Sequence, residues 1–262
     1  MLPTLEFGPW QVGTYQITSI LALTLCGTWT FRRLLSLGHP PGVIVRGLFL
    51  TIVGGFAATY LVTYLINTLR TAHSGFWARP EGLSIIWALV SGIGVAAIYC
   101  QKQGISLSRA LDMAVLPTVL GLAIGRLGCT AAGCCYGRPT DSWLGVYLPD
   151  DNGLWAMRYP TQLMAAAANL TIFFILRAIE RHGVRRVGKE RGWPYNGFLT
   201  SLGLFLYSLK RFALAFLRQA GTFSMIGPFS WMHVNALIGI TVTATLILWN
   251  LHRARRKEVI MP

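Results

Sequence analysis

The sequence predicts an all-α polytopic membrane protein with about seven transmembrane helices, N-terminus out and C-terminus in, and an outer-side loop between helices four and five. Three observations carry this expectation. Hydrophobic residues make up 53% of the 262 and charged residues 12%, a balance that ordinary soluble domains do not show. Apolar runs near the roughly 20 residues needed to cross a bilayer recur along the chain, and only closed hydrogen-bonded elements can cross it. Lys and Arg gather in alternate connections.

The runs fall at approximately residues 14–35, 43–68, 82–100, 110–129, 160–178, 196–217 and 234–251 of the sequence. The first is read as a retained helix and not a signal peptide, because its flank MLPTLEFGPWQVG has no basic residue and carries Glu6. No connection is long enough for a second domain, so residues 1–262 are read as a single integral membrane domain. The longest outer segment, residues 130–159, contains Pro139, Pro149, Gly145, Gly153 and the alternating stretch WLGVYL; it reads as an ordered loop with a short strand.

Orientation follows from the basic residues. The connection RAIERHGVRRVGKERG and the tail HRARRKE fall on one side with Arg32, Arg33, Arg46, Lys102 and Arg109. That side holds fifteen Lys and Arg against four acidic residues, Asp112, Glu180, Glu190 and Glu258, and is assigned to the cytoplasm. The net charge of +14 is then mostly topogenic. A nucleic-acid partner is not expected, since the chain offers no soluble basic face.

Three charges do not serve topology. Arg126, Lys210 and Arg211 lie inside or at the edge of apolar runs, where a charge at the helix centre costs about 2.5–3.5 kcal/mol on insertion scales. Both arginines fall toward the outer ends of helices four and six, at one depth, and the outer side also receives Arg79, Arg138, Arg158, Arg218 and His233. On a continuous helix Gly203, Tyr207, Arg211, Ala215 and Arg218 share a face. A phosphate suits such a face, because the guanidinium fork binds phosphate oxygens in pairs and stays protonated. The alternative is that these arginines snorkel to the interface.

The stretch GRLGCTAAGCCYG, residues 125–137, surrounds Arg126 with small residues. Gly121, Gly125, Cys129, Gly133 and Gly137 recur every four positions, a stripe that lets another helix approach closely, with or without a ligand nearby. On a continued helix Cys129 falls on the Arg126 face, Cys134 at its edge and Cys135 opposite. The spacing CxxxxCC without a nearby histidine matches no common zinc pattern, so no metal and no cofactor are expected. The three thiols are expected to serve packing and local polarity, with a Cys129–Cys134 disulfide left open on an oxidising side. Cys26 and Cys100 read as small apolar residues of spans one and three.

These residues resemble the prolipoprotein diacylglyceryl transferases of bacterial inner membranes. GRLGC followed by GCCYG is similar to that family's signature, MRYPTQL to its Pro-Ser/Thr-Gln-Leu segment, and GLFLYSLKRFALAFLRQ to its penultimate helix with two arginines seven apart. EGLSIIWALVSGIGVAAIYCQKQGISLSRALDMAVLPTVLGLAIGRLG matches a family stretch in length and order, so the likeness covers most of residues 80–220.

The resemblance implies transfer of diacylglycerol from phosphatidylglycerol to the lipobox cysteine thiol of an exported preprolipoprotein, with release of glycerol phosphate, at the outer, periplasmic face of the inner membrane. It places Arg126 and Arg211 on the donor headgroup, Arg218 on a third functional arginine and Tyr15 on a functional tyrosine of the first span. Tyr207, Gly125, Gly128 and Gly133 complete the expected substrate-binding set. Where the family has Ser-Phe-His-Gly-Gly, this chain has SIIWA, so Ile86 stands in place of the family histidine. Cys129 stands for its asparagine, Cys134 for its glutamate and Tyr159 for the histidine before Pro-Thr-Gln-Leu. The alternative reading is a phospholipid-binding or scaffolding protein on the same fold with its chemistry lost or changed.

Overall fold

The computed structural model describes residues 4–7, 10–72, 83–150, 153–188, 192–219, 225–226 and 229–260. Arg79, Asp151, Lys189, Glu190 and Arg191 lie outside the described residues, as do the side chains of Glu6, Ile86, Lys257 and Glu258.

Among the described residues, seven helices stand over the seven apolar runs: α1 Thr14–Leu35, α2 Pro41–Ala72, α3 Leu83–Lys102, α4 Leu107–Ala132, α5 Thr161–Val187, α6 Phe198–Ala215 and α7 Trp231–Ile260. Five contain stretches long and apolar enough to cross a membrane: Pro41–Leu61, Leu107–Ala132, Thr161–Val187, Phe198–Ala215 and Trp231–Arg256. Large apolar side chains point outward along α1 (Ile20, Leu21, Leu23), α2 (Phe49, Phe56, Tyr60) and α7 (Ile238, Leu248, Trp249). A lipid-surrounded protein leaves such residues exposed at little cost.

The chain divides into two compact units, residues 31–110 and residues 1–30 with 111–262. In the first, α2 and α3 pack antiparallel at two glycines. A Cβ at Gly47 would meet the Tyr99 ring at 2.8 Å and one at Gly54 would meet Val95 Cγ2 at 2.7 Å. The Tyr99 hydroxyl donates to the Val43 carbonyl at 2.8 Å.

In the other unit, Val115, Leu116 and Val119 of α4 meet Ile172 and Leu176 of α5 and Leu199 of α6 in one buried cluster. Gly203 serves this junction, where a Cβ would come within 2.8 Å of Val115 and 3.2 Å of Leu176. Asp112, counted above among the topogenic charges, is fully buried. Its carboxylate accepts from the Gly197 amide at 2.7 Å and from the Thr200 amide and hydroxyl, each at 2.9 Å. It therefore caps the start of α6, where a negative charge complements the helix dipole.

The connection between α4 and α5 contains a hairpin of β3 Val146–Pro149 and β4 Trp155–Arg158, registered Val146 to Arg158 and Pro149 to Trp155. The strand expected in WLGVYL is the first of these. Arg158, expected only as an outer-side charge, is 4% exposed. It pairs with Asp150 at 3.0 Å, donates to Gln219 Oε1 at 2.6 Å and lies 5.0 Å over the Tyr136 ring. Burial of a guanidinium is tolerated there because its charge is paired and both terminal nitrogens donate, to Gln219 and Asp150, although its Nε has no partner among the described residues. Short pairs β1 Thr4–Phe7 with β2 Trp10–Gly13, and β5 Met225–Ile226 with β6 Phe229–Ser230, precede α1 and α7.

Candidate active site

The site is built where three stretches of backbone cross. Helix α4 ends at Ala132, and Gly133 adopts a left-handed conformation with φ 77°, the usual way for a helix to stop. The chain then turns through Cys134 and Cys135, the latter at φ 64°. Gly137 follows, and its amide donates to the Tyr159 carbonyl at 3.0 Å while Arg138 donates to the Leu217 carbonyl at 2.9 Å. A Cβ at Gly137 would meet Tyr159 O at 2.5 Å and Leu217 O at 2.9 Å, so only glycine lets GCCYG, MRYPTQL and the end of α6 come together. Two side chains of MRYPTQL lock the turn: Thr161 donates to the Cys135 carbonyl and Gln162 to the Cys134 carbonyl, both at 2.8 Å.

Against this crossing lies a small, partly open cavity of about 40 Å³. Arg126 from α4, Tyr207, Lys210 and Arg211 from α6, and Arg218 just beyond α6 line it, with Cys135 from the turn. Thr161, Ala165, Leu214, Ala215 and Met232 complete the wall. Arg126 and Arg211, read at one depth on separate helices, thus meet. Arg218 reaches them from a turn and not from a continuous helix face, because α6 stops at Ala215. Its backbone forms a bridge with Gly137, and one guanidinium nitrogen lies 3.9 Å from Met232 Sδ.

Lys210 belongs to the site although the sequence reading assigned it none. Its ammonium donates to Asn169 Oδ1 at 2.7 Å and sits 4.0 Å from the Tyr207 ring centroid. Asn169 is 1% exposed, so the cation is fixed against α5 without being neutralised. Charge inside an apolar run was the signal; what the sequence lacked was the partner across the bundle.

Tyr15, Gly125, Gly128 and Gly133 do not line the cavity. Tyr15 stands on the first turn of α1, half exposed. Gly128 is where α1 touches α4, since a Cβ there would collide with Thr18 Oγ1, and Gly121 does the same beneath the Cys26 sulfur. A Cβ at Gly125 would meet nothing within 4 Å. The small-residue stripe therefore serves helix contact at Gly121, while Gly133 ends the helix and Gly137 serves the crossing.

The helical projection placed Cys135 away from Arg126. The structure places it on the cavity wall, because the helix on which that projection relied ends three residues earlier. The Cys129, Cys134 and Cys135 sulfurs lie within 4.8 Å of one another, although their linear spacing gives no hint of it. The Cys135 thiol is held well below the ordinary thiol range, first by hydrogen bonding with Cys129 and Cys134 and then by the charges of Arg218 and Arg126. Cys134 is held well above it, chiefly through its hydrogen bonds with the other two. All five cysteines are free thiols.

A family model described as prolipoprotein diacylglyceryl transferase matches residues 3–249. A Clostridium perfringens protein named phosphatidylglycerol–prolipoprotein diacylglyceryl transferase 2 is 25% identical over 244 residues, covering 89% of each chain. Proteins named phosphatidylglycerol–prolipoprotein diacylglyceryl transferase from Gloeobacter violaceus and Rhodospirillum rubrum are 27% and 29% identical; the alignments cover 97% and 82% of this chain and 94% and 78% of theirs. The match spans both the arginine helices and the crossing loops, and the chain belongs to the prolipoprotein diacylglyceryl transferase family.

Proposed function

We propose that this protein moves the diacylglyceryl group of phosphatidylglycerol to the thiol of a lipobox cysteine in an exported preprolipoprotein, at the outer face of a bacterial inner membrane. The observation that carries the reading is the cavity: Arg126, Lys210, Arg211 and Arg218 converge on it, and no carboxylate is among the described lining residues. Such a wall attracts an anion, and guanidiniums grip phosphate oxygens in pairs. The tails of the donor would run between helices whose outward side chains are apolar.

In the proposed reaction a thiolate attacks the glycerol carbon that bears the phosphate ester. A carbon–sulfur bond forms, the carbon–oxygen bond breaks, and glycerol phosphate leaves with the electron pair. The phosphate gains negative charge as the bond breaks. Arg126 and Arg211 stand ready for that charge, which is the form of stabilisation that lowers a barrier. Arg218, tied through its backbone to the Gly137 crossing, would orient the headgroup. Tyr15, implied by resemblance alone, would act from the entrance of α1.

The test is binding of phosphatidylglycerol by purified protein in a neutral detergent. Arg126→Ala and Arg211→Ala are each expected to weaken it about ten- to a hundred-fold, the worth of one or two charge-assisted hydrogen bonds. Arg185→Ala, on the opposite end of α5, should leave it unchanged. Equal small losses at all three would mean nonspecific surface charge. The second reading, lipid binding without transfer, draws on the same cavity, whose described lining includes no histidine or carboxylate to serve as a base; it predicts binding without product.

A further inference from the structure

Building on the transferase reading, we propose that Cys129, Cys134 and Cys135 form a binding site for one thiophilic divalent cation, zinc by chemical class, whose remaining coordination position takes the acceptor cysteine and holds it as the attacking thiolate.

The first ground is convergence. Cys129 comes from the last turn of α4 and the other two from the turn beyond it, yet the three sulfurs lie within 4.8 Å of one another. Three thiolates bound to one zinc, at about 2.3 Å each in tetrahedral geometry, stand roughly 3.8 Å apart. Closing the present cluster to that spacing needs movements smaller than a side-chain rotamer change.

The second ground is how the backbone is held. Cys135 has φ 64° and is the only non-glycine residue with positive φ among the described residues. A residue in that region costs of order 1–3 kcal/mol and persists where its surroundings enforce it. Here Thr161 and Gln162 hold the carbonyls of Cys135 and Cys134, and the Cys134 amide donates to the Cys129 carbonyl at 3.1 Å. Packing alone gives no reason to hold two consecutive thiols against a third in this way. Ligand preorganisation does.

The third ground is position. Cys135 lines the cavity in which Arg126, Arg211 and Arg218 would hold the donor, so a thiol bound at this cluster would lie beside the carbon it must attack. Three thiolates and one divalent cation carry a net charge of −1, which the neighbouring Arg126 and Arg218 balance. Sulfur ligands select zinc over magnesium or calcium.

The chemistry answers a need of the reaction. A thiol attacks carbon as the thiolate, and no histidine or carboxylate is among the described lining residues. A thiol bound to zinc is deprotonated outright, and three protein ligands with a fourth position open is the arrangement of catalytic zinc. The acceptor thiol binds and its proton passes to water. Its sulfur then forms the bond to carbon as the carbon–oxygen bond breaks and glycerol phosphate departs. The resulting thioether is neutral, a weaker ligand, and leaves the position to water. No electron is gained or lost.

The experiment uses the full-length protein purified under reducing conditions in detergent, stripped with a chelator and titrated with zinc, then separately with cobalt(II). We expect one zinc per chain and a cobalt–thiolate charge-transfer absorption. Cys129→Ser, Cys134→Ser and Cys135→Ser should each weaken binding at least about ten-fold, and Cys100→Ala should not. Retained phosphatidylglycerol binding would certify that each variant is folded. Absence of metal uptake by the reduced wild-type protein overturns the proposal, as does a disulfide among the three that, once reduced, still takes up no metal. Zinc bound without any thioether product would overturn the transferase reading and leave the metal site; product formed at an unchanged rate after chelation would overturn the metal's role and leave the transferase.

Discussion

At the scale of single residues, Gly137 is the most sensitive point in the site. An alanine there would press its Cβ to 2.5 Å from Tyr159 O, 2.6 Å from Tyr159 Cβ and 2.9 Å from Leu217 O, all atoms of backbone or attached directly to it. Overpacking of this kind costs about 1–3 kcal/mol. Gly137→Ala should lower the thermal midpoint and weaken phosphatidylglycerol binding together, since the same crossing positions Arg218. Gly125→Ala meets nothing within 4 Å and should leave the midpoint unchanged or raise it slightly, alanine being the better helix residue. Thermal unfolding in detergent separates the two, and equal midpoints would deny that the crossing is tight. Residues of this kind were legible in the sequence only where they broke a composition rule. Arg126, Lys210 and Arg211 announced themselves as charges in apolar runs. Asp112 and Arg158 did not, because a charge near a helix end reads as topogenic until its buried partners are known. Cys135 was read on the wrong side, since a helical projection assumes a helix that Gly133 brings to an end.

At the scale of elements, the seven described helices begin within about three residues of the apolar runs and five end within about four, while α5 and α7 continue nine residues past theirs into basic sequence. An apolar run in a bilayer cannot be satisfied by an open backbone form, whereas a helix can continue beyond it. Which faces meet was less legible. A four-residue glycine period indicates close approach without saying to what, and only Gly121 of the helical part of the stripe is used that way. There the Cys26 sulfur occupies the space a Cβ would take and donates to the Pro117 carbonyl at 3.0 Å. Gly121→Ala should therefore destabilise the protein by about 1–3 kcal/mol. Cys26→Ala in the same chain should recover most of the loss, because Ala22 O, the next atom, is 3.5 Å away. A double-mutant cycle on the thermal midpoint measures this coupling, and additive losses would show that α1 does not pack here as described.

At the scale of the whole molecule, the proposed function depends on orientation, which rests on fifteen Lys and Arg assigned to the inner side. Single-cysteine variants labelled with a membrane-impermeant reagent should react at position 6 from outside and at positions 186 and 256 only after the membrane is opened. The reverse pattern would place the cavity mouth in the cytoplasm, away from exported acceptors. A transferase differs from a lipid-binding protein in that the arginine cavity performs a transfer and does not merely hold a lipid. Purified protein, phosphatidylglycerol and a lipobox peptide, followed by mass spectrometry, test it most directly. A diacylglyceryl–thioether adduct and an equal amount of glycerol phosphate are expected, both reduced about 10²–10³-fold by Arg126→Ala, the usual cost of losing a donor to developing negative charge. Phosphatidylglycerol bound in the cavity with no adduct formed would contradict it.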